Sequence, residues 1–198
     1  LALRSPHSHA RILKIDTSDA ENLPGVAAVL SKNNTTNKKF GINLKDETAF
    51  CCDKARYIGD EIAAVAAVDR ETAQEAISLI KVDYEILPAI FDPFSSLEKT
   101  SPILHESNSQ NIANAFHIKR GEVDKAFSCS DEVFDGDFHT HLAHQAYLEP
   151  TGCVADSHPN GKITIWGCLQ SAFLIRTFML SPILNMKADN FRVIQTKP

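Results

Sequence analysis

The feature that most constrains this chain is a change of hydrophobic period within thirty residues. Ile62 to Val68 is a continuous apolar run. It is too short for a buried helix and suits a strand covered on both faces. Asp69 follows as an N-cap, and Ala73, Ala76, Ile77 and Ile80 then recur at helical spacing. From Val82 to Leu87 apolar and polar residues alternate, which is the pattern of a half-exposed strand. Strand, helix and strand in so little chain require α+β or α/β packing. The expected core comprises Ile62, Ala64, Val65, Ala67, Ala76, Ile77 and Ile80.

The flanking residues extend this reading. Residues 3–16 alternate toward a strand. Thr17-Ser18-Asp19 is expected to cap a short helix through Leu23, which Pro24-Gly25 stops. Val26 to Leu30 is a buried strand candidate, and residues 31–49 are polar and loop-like. Between 91 and 120 the composition turns to Pro, Ser and Asn, the signature of a surface linker. A second region, 121–198, opens with the helical turn Val123–Phe127. Glu132 to Leu142 is expected as a strand, and two more are expected over 146–156 and 162–168, joined by the turn His158-Pro159-Asn160-Gly161. An apolar helix follows from Ser171, and Pro182 kinks or restarts it. Phe191–Gln195 is a last strand.

Composition narrows the function. The 198 residues carry a net charge of -5, so a nucleic-acid partner gains no electrostatic support. No apolar run approaches the ~20 residues of a membrane helix. The chain does not begin with Met and lacks a signal-peptide core, which reads as a cut end. The five cysteines show no zinc spacing and suit free thiols in a reducing cytoplasm. The vicinal pair Cys51-Cys52 reads as structural or as redox-active; ordinary buried thiols favour the first. His139 and His141 would share one strand face, as two metal ligands would, but His144 has the opposite parity and no further ligand stands at a familiar offset. His7 and His9 are a similar, weaker pair. No nucleophile elbow, phosphate loop or dinucleotide fingerprint is present.

Several segments, in order, resemble one family. They are Arg4-Ser5-Pro6-His7-Ser8-His9-Ala10-Arg11-Ile12, Pro24-Gly25-Val26, Arg56-Tyr57-Ile58-Gly59-Asp60-Glu61, Gly121-Glu122-Val123-Asp124-Lys125-Ala126-Phe127, Tyr147-Leu148-Glu149-Pro150 and Asn190-Phe191-Arg192-Val193-Ile194. Together they resemble the large, molybdopterin-binding subunit of the xanthine dehydrogenase/aldehyde oxidase family of molybdenum hydroxylases. The resemblance implies an α+β chain: an α/β hammerhead domain over 1–90, a linker over 91–120, and the first part of a molybdopterin-binding domain over 121–198.

The resemblance also implies the chemistry. The parent would hydroxylate a heteroaromatic or aldehyde carbon with oxygen from water. Its cofactor would be molybdopterin in the cytosine dinucleotide form, with iron–sulfur clusters and FAD on other domains or subunits. The family's Gln in a Ser-Thr-Gln segment, which contacts the molybdenum centre, falls on Gln170, although Cys168 and Leu169 replace the Ser and Thr. The alternative for Gln170 is a cap on the helix that starts at Ser171. Glu149 matches the family's Leu/Met-Glu-Pro and suits a structural role more than a catalytic one. Gln145 stands where many relatives carry His. The glycine-rich pterin loop and the catalytic Glu are expected beyond residue 198, so no catalytic residue is expected within the chain, and this piece alone is expected to be inactive. Its partners would be the remainder of the large subunit, the iron–sulfur and flavin parts and a small substrate, with no nucleic acid or membrane. A non-catalytic docking module from a split gene is the competing reading.

Overall fold

The structure is a computed structural model, described here for residues 1–108 and 110–196. The elements run in this order: β1 (Ala2–Arg4), β2 (Ala10–Asp16), α1 (Ser18–Glu21), β3 (Val26–Ser31), β4 (Lys54–Ala55), β5 (Glu61–Ala67), α2 (Arg70–Leu79), β6 (Lys81–Ile86), α3 (Pro93–Ser96), α4 (Val123–Ser128), β7 (Cys153–Ser157) and β8 (Ile163–Gly167). A helical segment then passes through α5 (Ala172–Leu174), a π-helical stretch (Ile175–Leu180) and α6 (Ser181–Leu184) before β9 (Phe191–Gln195).

The period change becomes a two-sheet arrangement. β5 lies between β1 and β3 in one antiparallel sheet, while β6 joins β2 and β4 in another. The expected strand–helix–strand unit therefore does not close on one sheet; α2 hands the chain from the first sheet to the second. Asp69 caps α2 through its side chain, which accepts from the Thr72 N–H at 2.8 Å. Ala73 and Ala76 face inward because only small side chains let the helix sit close to the strands, and Ile80 closes the stripe. Ile62, Ala63 and Val65 meet them from β5, and Ile12, Ile15 and Val29 complete the packing.

Several expectations need correction here. Residues 3–16 are not one strand: Ser5 to His9 bends away between β1 and β2, and the Ser5 hydroxyl accepts the His7 N–H. The apolar run is covered over its first half only, since Ala66 and Val68 are exposed where β5 leaves the core. Of the expected core, Ala64, Ala67 and Ile77 are half-buried, and Ala63, not among the expected residues, is fully buried. β3 is an edge strand with Ala27, Ala28 and Leu30 exposed, so it is one-sided rather than buried. α1 ends at Glu21, short of Leu23. Arg56 to Asp60 forms a turn ahead of β5. Gly59 takes a φ of 97°, and the Asp60 carboxylate accepts the Arg56 N–H at 2.9 Å.

In the second region β8 is central, pairing antiparallel with β7 and parallel with β9. The expected strand over Glu132–Leu142 does not form; the segment is irregular and exposed. An alternating pattern makes a strand only where a neighbour supplies ladder partners, and here none does. Pro182 restarts the helix as α6. It has no N–H for the carbonyl four residues back and its ring crowds that turn, and the turns just before it are widened to π geometry.

A clasp ties the linker to the first region. The buried Lys54 Nζ donates to the Ile103 carbonyl at 3.0 Å and pairs with Glu106 at 2.7 Å. Arg56 Nε donates to the Leu104 carbonyl at 2.8 Å, and its guanidinium also pairs with Asp53. Asn111, in the left-handed region, holds the strap in shape. Its side chain accepts from the Leu104 N–H and donates to the Pro102 carbonyl. Among the described residues, no helix is long and apolar enough to cross a membrane.

Candidate functional site

Two of the sequence-derived segments meet at one end of the second sheet. β8 and β9 are parallel, so their carboxyl ends coincide, and the antiparallel β7 begins there. Cys168, just past β8, joins the three. Its N–H donates to the Gly152 carbonyl at 3.3 Å, its thiol to the Pro150 carbonyl at 3.7 Å, and the Thr196 hydroxyl to its sulfur at 3.8 Å. The packing is close enough that a Cβ on Gly167 would sit 3.2 Å from that of Cys153. Leu148-Glu149-Pro150 and Cys168-Leu169-Gln170 are thereby brought side by side. The sequence alone marked Cys168 only as a departure from the family's pattern; its bridging position depends on strand register.

Gln170 is exposed, three residues beyond the end of β8. The helix-cap reading fails. Ser171 is the N-cap, and its side chain accepts from the Leu174 N–H at 3.4 Å. The Gln170 amide is thus not consumed by the helix, and it has two donor hydrogens available. Glu149 is half-buried in a bend ahead of β7, not on a packed strand end.

The rival constellations disperse. His139, His141 and Gln145 are exposed on irregular chain. His144 turns back locally: its Nδ1 accepts the Ala146 N–H at 2.9 Å and its ring tilts against Tyr147. His9 is buried with Nδ1 2.6 Å from the Pro88 carbonyl, which requires the proton on Nδ1 and pins the end of the first region. His7 packs edge-on against Tyr84. Among the described residues, no group of three or more His, Cys, Asp and Glu is placed to hold a metal ion. Cys51 is buried, and that burial, with Asp60 beside it, pushes its thiol far up, so it stays protonated and unreactive. The vicinal pair is structural at Cys51; the Cys52 thiol points to the Phe50 carbonyl at 3.5 Å. Burial and Asp60 also push Tyr57 up to about 12.

The charged clasp perturbs its own members. Burial raises the Asp53 carboxyl, but the Arg56 guanidinium and local hydrogen bonds outweigh it and the net shift is downward. The hydrogen bond from Lys54 holds Glu106 below the usual carboxylate range. His105 is lowered by burial and by Arg56, against the pull of Asp46, whose carboxylate lies 3.8 Å away. These are ion pairs of a structural strap. No linear signal links Lys54 and Arg56 to a carboxylate fifty residues later.

Comparison with known proteins finds a family match in each half of the chain. Residues 1–88 match the family described as aldehyde oxidase and xanthine dehydrogenase, a/b hammerhead domain, and residues 104–197 match the molybdopterin cofactor-binding domain. The chain is 33% identical to a subunit of the probable xanthine dehydrogenase of Bacillus subtilis over 98% of its length, covering 26% of that protein. It is 37% identical to the carbon monoxide dehydrogenase large chain of Afipia carboxidovorans over 97% of its length, again covering 26%. The reconstituted CO dehydrogenase of Oligotropha carboxidovorans superposes with a TM-score of 0.83 at 33% identity, over 98% of this chain and 26% of that one. The aldehyde oxidoreductase of Desulfovibrio gigas shares the fold with a TM-score of 0.84 at 24% identity, over 99% of this chain and 23% of that one. The chain spans about a quarter of the length of these relatives.

Proposed function

Because the chain belongs to the aldehyde oxidase and xanthine dehydrogenase family, through a hammerhead domain and a molybdopterin cofactor-binding domain, we propose that it is the part of a molybdenum hydroxylase large subunit that builds one wall of the cofactor site. The division would be a hammerhead domain over 1–90, a linker over 91–120 and the start of the cofactor domain from 121. The reaction would add an oxygen atom from water to a heteroaromatic or aldehyde carbon. Two electrons and two protons leave, the electrons by way of iron–sulfur clusters and FAD on other domains or subunits. The cofactor would be molybdopterin as its cytosine dinucleotide, and the site of action the cytoplasm.

One observation carries the reading. Leu148-Glu149-Pro150 and Cys168-Leu169-Gln170 converge at the carboxyl end of β8, where Gln170 is exposed and Ser171 has taken the capping role. The bound cofactor would supply the metal that carries the oxidation. Gln170 would donate an amide hydrogen to an acceptor on it, Cys168 would hold the Gln170 turn against Pro150, and Glu149 would orient its neighbours. Supporting the partner reading, Phe116, Phe134, Phe138, Leu142 and Leu148 present large apolar side chains to solvent. So many exposed large apolar side chains fit a region that meets more protein.

Gln170→Ala in the complete enzyme tests this. Turnover should fall by a factor worth ~1–3 kcal/mol, the range for losing one such hydrogen bond. Unchanged turnover would remove Gln170 from the cofactor site. The isolated chain should hold no molybdenum, and stoichiometric metal by mass spectrometry would contradict the shared-site reading.

A further inference from the structure

A second feature of the chain plays no part in the proposed reaction. A cleft of about 510 Å³ lies between the polar loop of the first region and the helical segment of the second. Lys38, Lys39 and Lys45 line one wall, and Thr177, Asn185 and Lys187 the other. The chain as a whole is acidic, yet four ammonium groups share this cleft and no carboxylate lines it. Asp46 and Glu47 follow Lys45 but line the adjoining cleft beyond Phe40 and Gly41. Among the described residues, none of these four lysines takes part in an ion pair. Lys38 donates to the Asn185 side-chain oxygen and so ties the two walls together. Asn185 takes the left-handed conformation at the end of α6, with φ 52°.

One further observation bears on this wall. The Thr177 hydroxyl is buried with no hydrogen-bond partner, a condition that native structures rarely leave unexplained. Four like charges sharing one small cleft repel one another, and a multivalent anion seated among them reverses that repulsion. Lysines serve such ligands as mobile point charges.

We infer that this cleft is a binding site for a small polyanion, a phosphate ester or a polycarboxylate, held by Lys38, Lys39, Lys45 and Lys187. The site does not depend on the molybdenum reading. It is separate from the Gln170 end of the sheet.

Titration calorimetry on the complete assembled protein, with pyrophosphate and with citrate as probes, tests it. The expected result is saturable binding of at least one probe, weakened by added salt and weakened about tenfold or more by Lys38→Gln with Lys187→Gln. Lys39→Gln with Lys45→Gln leaves the Lys38–Asn185 tie in place and should weaken binding comparably, so loss of fold is not confused with loss of charge. Lys99→Gln with Lys125→Gln, away from the cleft, should bind as the parent does. Binding of pyrophosphate alone identifies phosphate as the ligand chemistry, and binding of citrate alone identifies carboxylate. Two results would overturn the inference: neither probe binds, or binding is untouched by the cleft variants.

Discussion

The two regions of this chain solve the burial problem differently. In the first, two antiparallel sheets and α2 close on one another, and among the described residues every buried hydrophobic side chain but one lies before residue 81. In the second, that one is Phe191, while Phe134, Phe138, Leu142 and Leu148 stand in solvent. The first region is stabilised by its own core. The second has secondary structure around β8 but little interior, so its order leans on ladder hydrogen bonds. Local pattern is similar in both; the difference is whether each apolar face finds a partner.

Substitutions can break that contrast. Val65→Asp would place an unpaired charge in the middle of the central strand and should cost several kcal/mol, unfolding the first region in a urea titration. Phe138→Asp, on an exposed residue, should leave the midpoint within about 0.5 kcal/mol of the parent. Equal effects would mean that the two regions do not differ as described. Phe191→Ala comes next, at roughly 3 kcal/mol for a buried aromatic. Its effect should be local. Hydrogen exchange should speed up at β8 and β9 while the β5 amides keep their protection.

The clasp between the linker and the first region should respond more mildly. Glu106→Gln weakens the pairing with Lys54 and should raise the rate of limited proteolysis in the 102–108 strap roughly threefold to tenfold. Acid should act in the same direction. Glu106 and His105 both have lowered folded values, so in each case the unfolded chain takes up its proton first. Their stabilisation is complete above the ordinary values of 6.5 for His and 4.5 for Glu. It is lost as pH falls through the lowered ones. Thermal midpoints should therefore decline below about pH 6.5 and again below about 4.5, and Glu106→Gln should flatten the second decline. The smallest effect is Gln170→Ala, within about 0.5 kcal/mol in the chain by itself. A larger loss would mean that the amide is already engaged.

The same contrast sets how far the sequence could be read. The Asp69 cap, the Ala73–Ala76–Ile80 stripe, the β6 alternation and the turn at Gly161 follow from spacing and residue type, because each depends on neighbours within a few positions. The family segments located Glu149 and Gln170, but not the Cys168 bridge between their loops. The Glu132–Leu142 alternation misled, because a strand is a property of a pair and this segment has no partner among the described residues.

Local chemistry, then, was settled by the sequence: where helices begin, where turns fall, and which stripes are apolar. Only the tertiary structure decided that β5 and β6 enter different sheets, that Lys54 and Arg56 reach Glu106, and that four lysines from two distant segments share one cleft. Those outcomes rest on register and on contacts across as many as 149 positions, from Lys38 to Lys187. The free energy of such contacts depends on what the fold brings together, and no local window of sequence contains it.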